Sequence, residues 1–106
     1  MAGDRNLYAQ LLNVYLQELR LLPRELAAHL DSGKREEALR MVHTLKGNSA
    51  TLGAKAFSSR ARLLEQEIKS PESDLLSLEQ LPEFMDELHR TESSLTTVYA
   101  ALTSLA

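Results

Sequence analysis

Cysteine and tryptophan are absent from the 106-residue sequence, and glycine, proline and aromatic residues are few. Without cysteine the chain has no disulfide, no thiolate metal site and no cysteine nucleophile, and the absence fits a reducing compartment. An excess of basic residues is also lacking, because 12 basic residues stand against 15 acidic ones. Since nucleic-acid binding favours a basic footprint, we expect no nucleic-acid partner.

Long apolar runs are missing as well. The sequence has no stretch of about 18 consecutive apolar residues, so we expect no membrane-spanning segment and no membrane contact by this chain. The N-terminus, MAGDRNLYAQ, has no charged region followed by an apolar core and a cleavage site, so it is not a signal peptide. We expect one cytoplasmic domain over residues 1–106, either free-standing or part of a longer, membrane-anchored protein.

The abundant residues, among them leucine, alanine and glutamate, are typical of helices. Apolar residues recur three and four positions apart, which is the spacing of one helix face, and no alternating strand pattern competes with them. Four amphipathic helices with short connections predict an all-α fold, an antiparallel four-helix bundle. The predicted helices cover 4–31, 34–52, 54–69 and 82–104, with a short helical turn at 74–80.

The first and last helices should each bury one apolar stripe. Asp4 is the expected N-cap of the first helix, and Pro23 should bend that helix or divide it in two. The predicted core stripes are Leu7, Leu11, Tyr15, Leu19, Leu22, Leu26 and Leu30 in the first helix, and Phe84, Leu88, Leu95, Val98, Leu102 and Leu105 in the last.

The second helix presents a histidine on the side away from its core face. On a helical wheel with about 100° per residue, apolar residues gather around Leu45, and His43 falls about 160° from that centre. We therefore expect His43 to be exposed, midway along the helix. His29 and His89 lie on other helices without comparable surroundings, and we interpret both as surface residues.

Small residues accompany His43 along its face. Gly47 lies one turn later, and Ala50 and Ala54 continue the stripe, where an ordinary solvent face would carry long polar side chains. A glycine inside a helix costs about 1 kcal/mol relative to alanine, and we interpret the missing side chain as clearance for a partner surface that approaches the imidazole. Lys46 is close enough along the helix to reach an anion on the ring.

An exposed imidazole, a clearing and a lysine suit phosphoryl chemistry. A neutral imidazole nitrogen is a competent nucleophile near neutral pH, and phosphoryl transfer needs mainly positioning and charge neutralisation. The sequence has no GxxxxGK[ST] loop, no glycine-rich nucleotide loop and no acidic cluster for Mg²⁺, and its scattered histidines argue against zinc. We expect no metal site, no ATP site and no enzymatic activity of its own, so a partner must bring Mg²⁺ and most of the charge stabilisation.

Residues 43–54, HTLKGNSATLGA, closely resemble the signature of histidine phosphotransfer (Hpt) domains, HTLKGxSxxLGA. The resemblance extends over about residues 5–105, with generic helical flanks. It implies that His43 is phosphorylated, that Lys46 helps to hold the phosphoryl oxygens and that Gly47 provides access. It also implies receiver-domain partners, which contribute an aspartate and Mg²⁺. The family often has an acidic or aromatic residue where Lys34 stands here, a departure that we expect to affect capping and partner choice but not the chemistry.

The resulting hypothesis is a monomeric phosphocarrier of a two-component phosphorelay, of the kind found in hybrid sensor kinases. His43 would accept a phosphoryl group from one receiver aspartate and donate it to another receiver. What orients the imidazole stays open among Arg40, a backbone carbonyl through water and a third-helix side chain. The predicted docking residues are Leu39, Arg40, Ala50, Ala54, Tyr8 and Leu12.

Three alternatives stay open. The first is a helical interaction module that regulates by binding alone. The second is a phosphoacceptor domain that a histidine kinase catalytic domain phosphorylates directly from ATP. The third is homodimerisation through the broad apolar face of the first helix.

Overall fold

The computed structural model describes residues 2–104 of the chain, and the side chains of residues 6–104. It consists of four helices with no strand in that range, which confirms the all-α prediction. Residues 74–80, predicted as a short helical turn, form non-helical turns instead. The helices are α1 (Ala2–Asp31), α2 (Arg35–Thr51), α3 (Lys55–Lys69) and α4 (Leu81–Ser104).

The four helices pack in a ring. α1 contacts α2 and α4, and α3 also contacts α2 and α4, so that each helix has two neighbours. Two glycines close the short connections on either side of α2, because Gly33 and Gly53 have φ angles of 71° and 83°. A left-handed residue at this position ends a helix and satisfies its last carbonyl groups. These turns hold α2 between α1 and α3.

In the N-terminal half of α1, the buried residues differ from the predicted core stripe. Leu7 and Leu11 are 57% and 52% exposed, whereas Leu12 and Leu16 are almost completely buried in the core. Neighbouring apolar residues occupy two adjacent faces of this helix, and periodicity alone selected the wrong one. The later part of the stripe, from Tyr15 onward, is buried as predicted.

Other details of the long helices also differ from expectation. α1 continues through Pro23, which excludes a division into two helices. It also begins at Ala2, before Asp4, whose side chain lies outside the described part of the chain. In α4, Thr91 is buried and Val98 is 39% exposed, because beyond Thr91 this helix is only partly covered, through Leu95, Tyr99 and Leu102. Leu105 lies outside the described residues. Within residues 2–104 no helix is both long and apolar enough to cross a membrane.

A buried polar contact joins α1 to α2 beneath the site. The Tyr15 hydroxyl and Ser49 Oγ lie 2.5 Å apart, and Ser49 is completely buried. We had no sequence basis for this partner, since a buried serine commonly bonds back to a helix carbonyl. Burial raises the pKa of Tyr15 above its ordinary value, although the Ser49 hydrogen bond opposes the shift.

Removal of this hydrogen bond should destabilise the fold. We expect Tyr15→Phe to lower the free energy of unfolding by about 1 kcal/mol, because Ser49 then loses its hydrogen-bond partner within the core. The effect should be less than additive with Ser49→Ala, and Tyr8→Phe, at a partly exposed position, should have little effect. Urea denaturation of these variants measures the difference; an equal loss for both tyrosines would contradict the assignment.

Candidate functional site

α2 presents His43 on its outer side. The buried residues of this helix are Ala38, Val42, Leu45 and Ser49, and they fix the helix rotation so that the His43 side chain remains 65% exposed. Exposure of the ring follows from packing on the opposite face. The imidazole is therefore accessible to a partner without any rearrangement of the core.

Glu65 of α3 orients the imidazole. His43 Nδ1 lies 2.6 Å from Glu65 Oε2, which answers the open question with a third-helix side chain rather than Arg40. A carboxylate accepts hydrogen bonds only, so Nδ1 carries the proton and donates it to Glu65. The lone pair of the neutral ring then resides on Nε2. This arrangement leaves Nε2 as the ring nitrogen that could act as a nucleophile.

Lys46 shares the same carboxylate. Its Nζ lies 2.7 Å from Glu65 Oε1, and the side chains of Lys46 and Glu65 are 29% and 16% exposed. Nearby, Ser58 Oγ donates a hydrogen bond of 3.0 Å to the Lys46 carbonyl oxygen and ties the start of α3 to α2. The site is thus a triad of His43, Glu65 and Lys46, in which both carboxylate oxygens are engaged.

The ionisation of Glu65 reflects these contacts. Partial burial opposes loss of the proton, but the hydrogen bonds from Lys46 and His43 outweigh it and hold the pKa of the carboxyl below its ordinary value of 4.5. Glu65 is therefore an anion at neutral pH. It places a fixed negative charge beside Nδ1 of His43.

A lowered pKa predicts a pH-dependent contribution to stability. Because the folded pKa of Glu65 lies below its unfolded value, the carboxylate stabilises the fold above the unfolded value, and the contribution is lost as pH falls through the folded value. Urea denaturation from pH 7 to 3 should show a stability difference between wild type and Glu65→Gln that narrows below pH 4.5. A difference that stays constant over this range would contradict the assignment.

Gly47, one turn after His43 on α2, has open space at its own position. A Cβ atom built on Gly47 meets no neighbouring atom within 4 Å. The glycine is therefore not required for packing inside the domain. Its cost in helix propensity has no compensation within the described residues, which agrees with a clearance that serves an approaching partner.

The predicted docking residues differ in their exposure to solvent. Arg40, Ala50 and Tyr8 are exposed, and Leu39 and Ala54 are half-buried against the core. Leu12 is completely buried, so its assignment to the docking surface is wrong. It lies on the inner face of α1, one step around the helix from the exposed Leu11.

Sequence reasoning missed a groove of about 520 Å³ between α1 and α2. It reaches Arg40 and Thr44, which flank His43 in the chain, and His29 also contributes to it. The sequence feature that could have indicated this groove is the pair Val14 and Leu21, two exposed apolar residues of α1. They lie seven positions apart, on a face of the helix that is separate from the core. The groove, here called the α1–α2 groove, is lined by Val14, Gln17, Glu18, Leu21, Leu22, Glu25, His29, Glu37, Arg40, Met41, Thr44 and Leu45.

Within the described part of the chain, no group of three histidine or acidic side chains is arranged to hold a metal ion. Comparison with curated proteins finds no significant match, and comparison with solved structures finds none either. The family model described as Hpt domain matches residues 10–94, which is most of the chain, and the chain therefore belongs to the Hpt domain family.

Proposed function

We propose that this domain is a phosphocarrier that takes a phosphoryl group from the aspartyl phosphate of one receiver domain and passes it to the aspartate of another. Family membership implies histidine phosphotransfer in a phosphorelay and interaction with response-regulator receiver domains. The observation that supports His43 as the carrier is its exposed ring, whose Nδ1 is held by Glu65. In this proposal the helices run antiparallel and His43 lies midway along α2.

The first transfer begins with Nε2. Its lone pair attacks the phosphorus of the aspartyl phosphate, the bond between phosphorus and the aspartyl oxygen breaks, and the carboxylate of the receiver leaves with the electron pair. The product is a phosphorylated imidazolium whose proton remains on Nδ1. Glu65 stabilises this positive charge from 2.6 Å, so its contribution grows as the transfer proceeds.

The second transfer reverses these bonds. A carboxylate oxygen of the second receiver attacks the phosphorus, the bond to Nε2 breaks, and its electron pair returns to the ring. Because Glu65 keeps the proton on Nδ1, the leaving group is a neutral imidazole rather than an anion. The same residue therefore assists transfer in both directions.

Charge neutralisation is divided between the partners. Lys46 is the cation that the domain itself offers beside His43, and we expect the receiver to supply Mg²⁺ and its own charged groups. Gly47 gives that surface room to approach. The domain is proposed to act in the cytoplasm as a monomer, free-standing or within a membrane-anchored sensor protein, and to have no ATP site.

The proposed docking surface surrounds His43 and continues into the α1–α2 groove. It retains Leu39, Arg40, Ala50, Ala54 and Tyr8 from the sequence prediction, without Leu12. Exposed apolar side chains with a polar rim are typical of partner sites. In the groove, Val14 and Leu21 are 55% and 56% exposed, and acidic and basic groups border them.

A charge placed in the groove should weaken docking. We expect Leu21→Asp to raise the dissociation constant for a cognate receiver about tenfold, the equivalent of about 1.4 kcal/mol. The matched control is Leu76→Asp, which alters an exposed leucine on the loop between α3 and α4. Calorimetric titration measures both variants, and equal affinities for the two would exclude the groove from the interface.

A transfer experiment distinguishes the proposal from two of its alternatives, the direct phosphoacceptor and the module that regulates by binding alone. The purified domain is incubated with Mg²⁺ and labelled phosphorylated receiver, or with a histidine kinase catalytic domain and labelled ATP, and the label on this chain is followed. We expect rapid labelling from the receiver. Labelling only from the kinase would support a direct phosphoacceptor, and binding to receivers without labelling from either donor would support regulation by binding alone.

A further inference from the structure

Lys46 is bound to Glu65 in the unmodified domain, and a phosphoryl group on His43 would compete for the same ammonium. In the described structure its ammonium is bound to Glu65 Oε1 at 2.7 Å, and the side chain is largely covered. The proposed function places an additional anion on Nε2 of His43, whose ring contacts the other oxygen of the same carboxylate. The carboxylate and the phosphoryl group would therefore contact the two nitrogens of one ring, and Lys46 already contacts the carboxylate.

The Lys46 ammonium should bind the phosphoryl group in preference to Glu65. A phosphoryl group carries close to two negative charges near neutral pH and three strong acceptor oxygens, whereas Glu65 carries one charge. The ammonium of Lys46 is a point charge on a flexible stem, so it can change partner without movement of the helix. The charge difference favours the phosphoryl oxygens once His43 is modified.

Glu65 does not lose its only partner when Lys46 leaves. Its Oε2 keeps the hydrogen bond from Nδ1, which carries the proton of the phosphorylated imidazolium. Glu65 is partly exposed, at 16% of its side chain, so movement of the flexible Lys46 side chain would open its Oε1 to water. The cost of release is therefore small, and the carboxylate then acts on the imidazolium alone.

We propose that phosphorylation of His43 transfers the Lys46 ammonium from Glu65 to the phosphoryl oxygens, so that Glu65 stores this cation in the unmodified domain. The inference rests on the proposed function, since it takes His43 as the modified residue. It assigns Glu65 two tasks, to hold Lys46 in place before the transfer and to stabilise the imidazolium afterwards.

The test follows the lysine directly. The ¹⁵Nζ resonance of Lys46 and the hydrogen exchange of its ammonium are measured by NMR in the full chain, with and without Glu65→Gln. His29→Gln and His89→Gln are present throughout, so that only His43 can be modified. Phosphoramidate phosphorylates the domain without a receiver: Nε2 attacks phosphorus, the phosphorus–nitrogen bond of the reagent breaks and ammonia leaves.

In the unmodified domain, we expect Glu65→Gln to shift the Lys46 resonance and to accelerate ammonium exchange at least fivefold. In the phosphorylated domain, the resonance should already be displaced, and Glu65→Gln should change exchange less than twofold. Lys55 and Lys69 serve as internal controls that should respond to neither change. Glu79→Gln, an equal change of charge at an exposed position, should leave Lys46 unaffected.

Two results would overturn the proposal. The same dependence on Glu65 in both states would mean that Lys46 stays on the carboxylate, and no dependence in either state would mean that the pair does not form in solution. The test is independent of the relay itself. A domain that phosphoramidate modifies but no receiver modifies would refute the proposed function, while the position of Lys46 would still be determined.

Discussion

Replacement of Glu65 by alanine should slow phosphotransfer to His43 by about 10- to 100-fold. The imidazolium that forms on transfer would lose the negative charge that contacts Nδ1, and the ring would lose the contact that sets its tautomer. A pair of unit charges at about 4 Å gains about 4 kcal/mol at an effective dielectric constant of 20. Solvent around the exposed ring screens part of this gain, and tenfold in rate corresponds to about 1.4 kcal/mol.

The measurement is the rate of single-turnover transfer from a phosphorylated receiver. Glu65→Gln should have a rate between those of wild type and Glu65→Ala, because its amide oxygen still accepts a hydrogen bond but carries no charge. Glu79→Gln is the control for a change of net charge. Folding is checked by urea denaturation of each variant. An unchanged transfer rate in folded Glu65→Ala would remove this carboxylate from the mechanism.

Substitutions of Gly47 should affect the stability of the domain and the rate of phosphotransfer differently. We expect Gly47→Ala to stabilise the domain by about 1 kcal/mol, because alanine is the better helix former and its Cβ meets no atom within 4 Å. Gly47→Leu should also fold, since its side chain projects into the same open space. It should nevertheless slow transfer about 100-fold, because a displacement of the reacting groups by about 1 Å has an effect of this size.

The two readouts are urea denaturation and single-turnover transfer. Thr51→Leu is the control for added bulk, because it introduces the same side chain at an exposed position one turn further along α2. The Thr51 hydroxyl donates a hydrogen bond to the Gly47 carbonyl oxygen of the same helix, and we expect its replacement to have a small effect on the transfer rate. Normal transfer by Gly47→Leu would show that the receiver does not need this clearance.

The placement of His43 could be predicted because it depends on α2 alone. Once Leu45 and its apolar neighbours face the core, rotation of about 100° per residue leaves His43 outside. The turns at Gly33 and Gly53 depend equally on local sequence, since glycine readily adopts the left-handed conformation that ends a helix. These features need no knowledge of how the helices pack.

The role of Glu65 could not be predicted in this way. Glu65 follows Leu64 in α3, and only the register of α3 against α2 determines that its carboxylate reaches both His43 and Lys46. Leu11 and Leu12 illustrate the same limit, because adjacent apolar residues on two faces of α1 are equally compatible with the periodicity. Packing against the neighbouring helices determines which of the two is buried. Leu12 is the buried one, and it is therefore not part of the docking surface.

The central claim is that His43 carries the phosphoryl group, and label transfer from a phosphorylated receiver in the presence of Mg²⁺ tests it most directly. We predict an acid-labile, alkali-stable label on the wild-type chain and on His89→Gln, and none on folded His43→Gln. A label on His43→Gln as strong as that on wild type would contradict the account.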